Sequence, residues 1–272
     1  MHASNVSIAI IVFNMVLGVL FPIVLMLIVK RKHQLGVKPF FLGCLTMFLF
    51  ALVLEQIVHA IVLNSPAGSA IQNNFWIMAL YGGLMAGLFE ETGRFVTMKF
   101  LLKKEQRNDH NAIMYGIGHG GIEMAFILVI GMVNQLLYSV MINTGQTESL
   151  LAPLDASSKE VLQQAFESLV NTPPYMFLLS PVERLAAIIA QISLSVLVWI
   201  AVTRAGKKLL YVLAILLHFL LDAVAVVLSG LGISTWLIEV VIWIMALAFA
   251  FLAVKVWKTN RQEQNSIDEP AV

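Results

Sequence analysis

"LLYVLAILLHFLLDAVAVVLS", residues 209–229, contains one histidine, His218, and one carboxylate, Asp222, and is otherwise almost wholly apolar. At about 1.5 Å per residue a helix of this length crosses a hydrocarbon core of roughly 30 Å. The same kind of segment recurs along the chain, over 6–29, 40–63, 75–101, 111–142, 174–202 and 236–257. Seven apolar segments predict an all-α, polytopic membrane bundle. Composition agrees: of 272 residues 59% are hydrophobic and 12% charged, with a mean hydropathy of +0.86. Soluble domains carry about 25% charged residues.

Basic residues order the spans. Lys30, Arg31, Lys32 and Lys38 follow the first, and Lys99, Lys103, Lys104 and Arg107 the third. Arg204, Lys207 and Lys208 follow the fifth, and Lys255, Lys258 and Arg261 the last. Fourteen of the seventeen Lys and Arg thus share one side, which predicts an outer N-terminus and a cytoplasmic C-terminus. The first segment lacks a basic stretch before it and is expected to stay as a span rather than be cleaved. The fourth is too long for one straight crossing and is expected to tilt or unwind near its glycines. Residues 1–258 form one membrane domain, and 259–272 a short tail expected to be disordered.

The one sizeable polar loop, 143–174, is expected on the outer side. Within it "SSKEVLQQAFESLV" (157–170) predicts an amphipathic helix with a serine cap, its apolar face made by Val161, Leu162, Ala165, Phe166 and Leu169. The single cysteine, Cys44, excludes an internal disulfide and is expected to be a plain apolar-environment residue. A net charge of +1 gives no reason to expect a nucleic-acid partner.

Charge inside the spans points to function. Glu55, Glu90, Glu91, Glu123, Glu183, Asp222 and Glu239 lie there, with His59, His119 and His218. Each carboxylate at mid-depth costs about 2.5–3.5 kcal/mol on insertion scales, so a group of them needs partners or a wet cavity. Glu239 is near a helix end and is expected at the interface. Glu90, Glu91, His119, Glu123, Glu183, His218 and Asp222 share a mid-membrane level on four helices. "EETGR" puts Glu90 and Arg94 on one helical face, as "HGGIE" does His119 and Glu123 and "HFLLD" His218 and Asp222. Two imidazole–carboxylate pairs on different helices can converge on one zinc ion, and Glu90 or Glu91 could then take a proton from its water. Gly83 and Gly87 on the third span, and Gly116 and Gly120 on the fourth, make small faces expected to pack these two helices together. Arg94 is expected as a counter-ion to Glu90 or Asp222, Glu183 and Arg184 as a structural pair, and Glu55 with His59 as supporting groups.

These motifs resemble the YhfC family of intramembrane metalloproteases, related to PrsW and to the CAAX-protease and bacteriocin-processing group. The carrying residues are "EETGR" (90–94), "GHGGIE" (118–123), "PVERLAA" (181–187) and "HFLLD" (218–222). The resemblance matches Glu90 and Glu91 to the first PrsW motif, Glu123 to the second, and His218 and Asp222 to the third. Arg94 stands where PrsW has lysine, His119 where it has phenylalanine, and Glu123 where CAAX proteases have histidine. Both metal-activated and glutamate-activated water suit this pattern. The resemblance implies a multi-pass protein of a bacterial plasma membrane, zinc as cofactor, and a membrane protein or peptide as substrate, with no soluble partner. Two other readings keep the same charges: a proton- or ion-coupled transporter, and a non-catalytic binding or immunity protein. Transporters commonly carry paired repeats, and no repeat is visible here.

Overall fold

The computed structural model describes the backbone of residues 1–267 and the side chains of residues 1–260. Its helices are α1 (Asn5–His33), α2 (Lys38–Leu49), α3 (Gln56–Leu63), α4 (Gly68–Gln72), α5 (Phe75–Val96) and α6 (His110–Ala125). They continue with α7 (Gly131–Asn143), α8 (Thr147–Leu151), α9 (Ala156–Asn171), α10 (Leu179–Thr203), α11 (Leu209–Gly230) and α12 (Thr235–Ile267). The protein is an all-helical, multi-pass membrane protein. Among the described residues six helices are long and apolar enough to cross a membrane. The remaining expected span, 75–101, is α5 followed by a π-helical turn at Thr97–Leu101; Glu90, Glu91 and Arg94 make it more polar than the six. The end of the expected tail, from residue 268, lies outside the described residues.

Local chemistry sets the breaks. The Asn74 side chain caps α5 by accepting from the backbone N–H of Trp76 at 3.0 Å and of Ile77 at 3.3 Å. Gly206 and Gly232, at φ +75° and +73°, follow α10 and α11 in the left-handed conformation that glycine adopts without strain. The long fourth segment does not unwind at its glycines. Residues 110–125 are regular α-helix, and the irregularity is a π-helical turn at Phe126–Ile130. The Ile192 and Phe40 backbones and the Gln191 and Pro22 side chains fill the space beside Gly116, Gly118, Gly120 and Gly121.

The chain divides into two compact units. The first joins Met1–Phe21 to Glu123–Arg184. There Asn14 donates to the Phe177 carbonyl at 2.7 Å, and Asn143 exchanges two hydrogen bonds with the Ala3 backbone at 2.8 and 3.0 Å. The cap of α9 is Asp155 rather than a serine. Its carboxylate accepts from the Ser158 N–H at 2.7 Å and the Ser157 hydroxyl at 2.9 Å, and these bonds hold it below the usual aspartate range. Phe166 and Leu169 are buried and Val161 is 68% exposed, so the inward face of α9 is narrower than the sequence pattern.

The second unit joins Pro22–Ile122 to Leu185–Val272. Its core gathers Trp199, Tyr115, Leu194, Leu197, Met98 and Leu102. The Trp199 indole donates to Asp109 at 3.0 Å, and Arg204 donates to the other Asp109 oxygen at 2.6 Å. The glycine faces pack, but not on each other. A Cβ at Gly83 would meet the Phe219 carbonyl at 2.6 Å and one at Gly87 the Ile215 carbonyl at 2.8 Å, so α5 lies on α11. A Cβ at Gly116 would meet Ile192 at 2.7 Å and one at Gly120 would meet Gln191 at 3.0 Å, so α6 lies on α10. Small residues show that a backbone approaches; they do not say whose.

Gly118 is the tightest of these positions, since an added Cβ would press into the Phe40 backbone carbonyl. Gly118→Ala is expected to lower stability by about 1–3 kcal/mol. Gly82→Ala, with nothing within 4 Å, should be neutral. Melting temperatures in detergent would check this, and equal values for the two variants would contradict the packing.

Candidate active site

The second half of α5 carries Glu90, Glu91 and Arg94 into the interior of the second unit. His119 on α6, Gln191 and Ser195 on α10, and His218 on α11 meet them there. Glu91, Arg94 and His119 are wholly buried; Glu90 and His218 are 6% and 4% exposed. The α5–α11 and α6–α10 packing above brings these residues within reach, because their glycine faces let the backbones close.

Three donors gather on one oxygen of Glu90. His119 Nε2 lies 2.9 Å from Oε2, Gln191 Nε2 donates to it at 3.1 Å, and Arg94 Nη2 lies at 3.5 Å. The other oxygen, Oε1, faces His218 Nε2 at 3.8 Å, beyond hydrogen-bond range. Across the same imidazole nitrogen, Asp222 Oδ2 also lies at 3.8 Å. Glu91 Oε1 takes Arg94 and, at 2.8 Å, His218 Nδ1. An ionised carboxylate only accepts, so His218 carries its proton on Nδ1 toward Glu91, and His119 on Nε2 toward Glu90. Arg94 is clamped in turn by the Gln191 carbonyl oxygen and by the Ser195 hydroxyl at 3.3 Å. It pairs with Glu90, as expected, and also with Glu91, which the i,i+4 spacing does not indicate.

The remaining expected residues have contacts of their own. Glu55, buried in the π-helical turn Phe50–Glu55, contacts His59 at 3.1 Å, and His59 Nδ1 lies 2.8 Å from the Tyr81 hydroxyl. Glu123 belongs to the first unit, where it accepts from Arg184 at 2.6 Å, and Arg184 also bonds Glu183. Glu239, expected at the interface, is buried. Cys44 donates to the Gly118 carbonyl at 3.1 Å. Gln191 was missed by reading charges alone, although an amide amid "AAIIAQISLS" is as conspicuous in an apolar helix as an acid.

Imidazole nitrogens and carboxylate oxygens are the donor types zinc takes. Their arrangement is not that of a ligand set. Among the described residues no three His, Cys, Asp or Glu stand together so as to hold an ion. The 3.8 Å gaps beside His218 exceed the roughly 3.4 Å separation of two ligands on tetrahedral zinc, and both glutamates are already paired with Arg94. The residues as they stand do not fit a resident metal.

No solved structure matches the chain. It is 37% identical over 239 residues to a Bacillus subtilis (strain 168) protein named "Uncharacterized membrane protein YhfC", with 87% of this chain and 91% of that one covered. The family description "YhfC intramembrane metalloprotease" matches residues 17–265, a range that takes in every residue of the cluster. On that match, and on the relative that spans nearly the same length, the chain belongs to the YhfC intramembrane metalloprotease family.

Proposed function

We propose that the protein hydrolyses a peptide bond of a membrane-embedded protein or peptide, with Glu90 as general base. The observation that carries this reading is the asymmetry of Glu90. Its Oε2 is occupied by His119, Gln191 and Arg94, while Oε1 faces His218 across 3.8 Å. Polar atoms at that separation suit a bridging water. Glu90 Oε1 takes a proton from that water, the oxygen attacks the scissile carbonyl carbon, and the carboxylic acid then returns the proton to the leaving nitrogen. His218, held by Glu91, orients the water; Asp222, 40% exposed, marks the side open to substrate. Arg94 pairs with both adjacent carboxylates. The family's name implies a metal.

The test uses purified protein in vesicles carrying bacterial membrane proteins, in water enriched in oxygen-18. Wild type should create new carboxyl termini bearing the heavy oxygen, and His218→Ala should create at least about 100-fold fewer. Termini formed equally by both, or pH-gradient-driven uptake of a solute without new termini, would overturn the proposal.

A further inference from the structure

Tyr81, His59 and Glu55 of the second unit lie outside the set hydrogen-bonded to Glu90, and they join one another. The Tyr81 hydroxyl lies 2.8 Å from His59 Nδ1, and His59 Nε2 lies 3.1 Å from Glu55 Oε1. Glu55 is buried inside the apolar span Lys38–Leu63. The depths of these groups are ordered. At the end of the helices away from the basic residues, α3 and α11 stop and α5 starts. The stop and the start are level, because a Cβ at Gly230, the last residue of α11, would press into the Phe75 ring that opens α5. Counted from those ends at about 1.5 Å per residue, His59 and Tyr81 lie roughly 6 and 9 Å deep, and Glu55 and Asp222 both about 12 Å. His218 follows at about 18 Å and Glu90 at about 22 Å. Between the two columns runs α5, which meets α11 at Gly83 and Gly87 and meets His59 through Tyr81.

We infer that Tyr81, His59 and Glu55 open a hydrated path from that end of the bundle, continued by Asp222 and His218, along which water reaches Glu90. The use made of the water there rests on the hydrolase reading; the path itself does not. Carboxylates and imidazoles inside a span are costly unless they are paired or wet, and they commonly mark a polar passage. A trio that only ties α3 to α5 would need no continuation at greater depth. Here Asp222 stands at the level of Glu55, and the next two steps, to His218 and on to Glu90, are 3.8 Å each. Polar atoms at that separation suit a bridging water rather than a direct bond. The lipid side gives no such entry, since Leu80, Leu84 and Leu88 are what α5 exposes there. Water therefore has to arrive along the helices, between their polar faces.

X-ray hydroxyl-radical labelling of the full-length protein in lipid nanodiscs, read by mass spectrometry, reports water beside individual side chains. It needs no substrate, so the path can fail while peptide hydrolysis stands, and the reverse. In wild type His59, Tyr81 and His218 should all be labelled, although His218 is only 4% exposed. Mixing with oxygen-18 water just before the pulse should place heavy oxygen at His218, which shows exchange with the bulk. Met114, wholly buried in apolar packing with Phe40 and Ile117, is the dry reference. Glu55→Leu should lower labelling of His218 at least about fivefold and leave Met114 unchanged, because an apolar side chain gives a water no partner. Tyr81→Phe removes a single oxygen, keeps the ring packed on His59, and should lower it about twofold. Circular dichroism and melting temperature identify the folded variants, and Tyr81→Phe carries the test should Glu55→Leu fail to fold. A His218 as dry as Met114 in wild type would overturn the path, and so would His218 labelling unchanged in the folded variants.

Discussion

Glu90→Gln should reduce peptide-bond hydrolysis by about 10²–10⁴-fold while leaving the protein folded. Glutamine is nearly isosteric here. Its carbonyl oxygen can take the place of Oε2 and keep accepting from His119 and Gln191, and its NH₂ can turn toward His218 Nε2, which is an acceptor when Nδ1 holds the proton. What is lost is the only function assigned to Oε1, taking a proton from water. Glu91→Gln should behave differently. Glu91 is wholly buried, pairs with Arg94, and holds the tautomer of His218. Its loss therefore lowers stability together with activity. Melting temperature and oxygen-18 incorporation, measured side by side on the two variants, separate the roles. A fully active Glu90→Gln beside a folded, inactive Glu91→Gln would transfer the base to Glu91.

The difference between the two glutamates is what the sequence could not supply. A run such as 209–229 declares a span and places His218 and Asp222 one turn apart, and the structure keeps both facts. The level shared by Glu90, Glu91, His119 and His218 was equally legible, because depth along a helix is counted in residues. Rotation and neighbour choice are not counted that way. The spacing of Gly83 and Gly87 says that something approaches closely, and only the assembled unit shows that it is α11. For the same reason the i,i+4 rule finds Glu90 as a partner of Arg94, which the structure keeps, but not that the side chain also reaches Glu91 at i,i+3 and crosses to Gln191 on α10. Gln191 carries no formal charge and so escaped a search made by charge, although it contacts both Glu90 and Arg94. In an apolar helix a buried amide is as costly to leave unpaired as other polar groups, and so marks a site as an acid does.

Arg94→Met should be the most destabilising single change in the cluster, by about 3–5 kcal/mol. Two adjacent buried carboxylates stand against one guanidinium, and methionine fills the volume without the charge. Glu91 would be left with His218 alone and Glu90 with His119 and Gln191, so at least one carboxylate must take up a proton or leave the interior. Arg94→Lys should fall between, since one ammonium cannot reproduce the fork that engages Glu91, Gln191, Glu90 and Ser195 together. The double variant Arg94→Met/Glu91→Gln removes both partners of the closest pair and should be more stable than Arg94→Met alone, because the penalty lies in the charge left behind rather than in the pair removed. Thermal unfolding of the four proteins in one detergent gives the coupling directly. Additive losses, with the double variant the least stable of all, would mean that Arg94 does not neutralise Glu91, and the charge balance assigned to the site would fall with it.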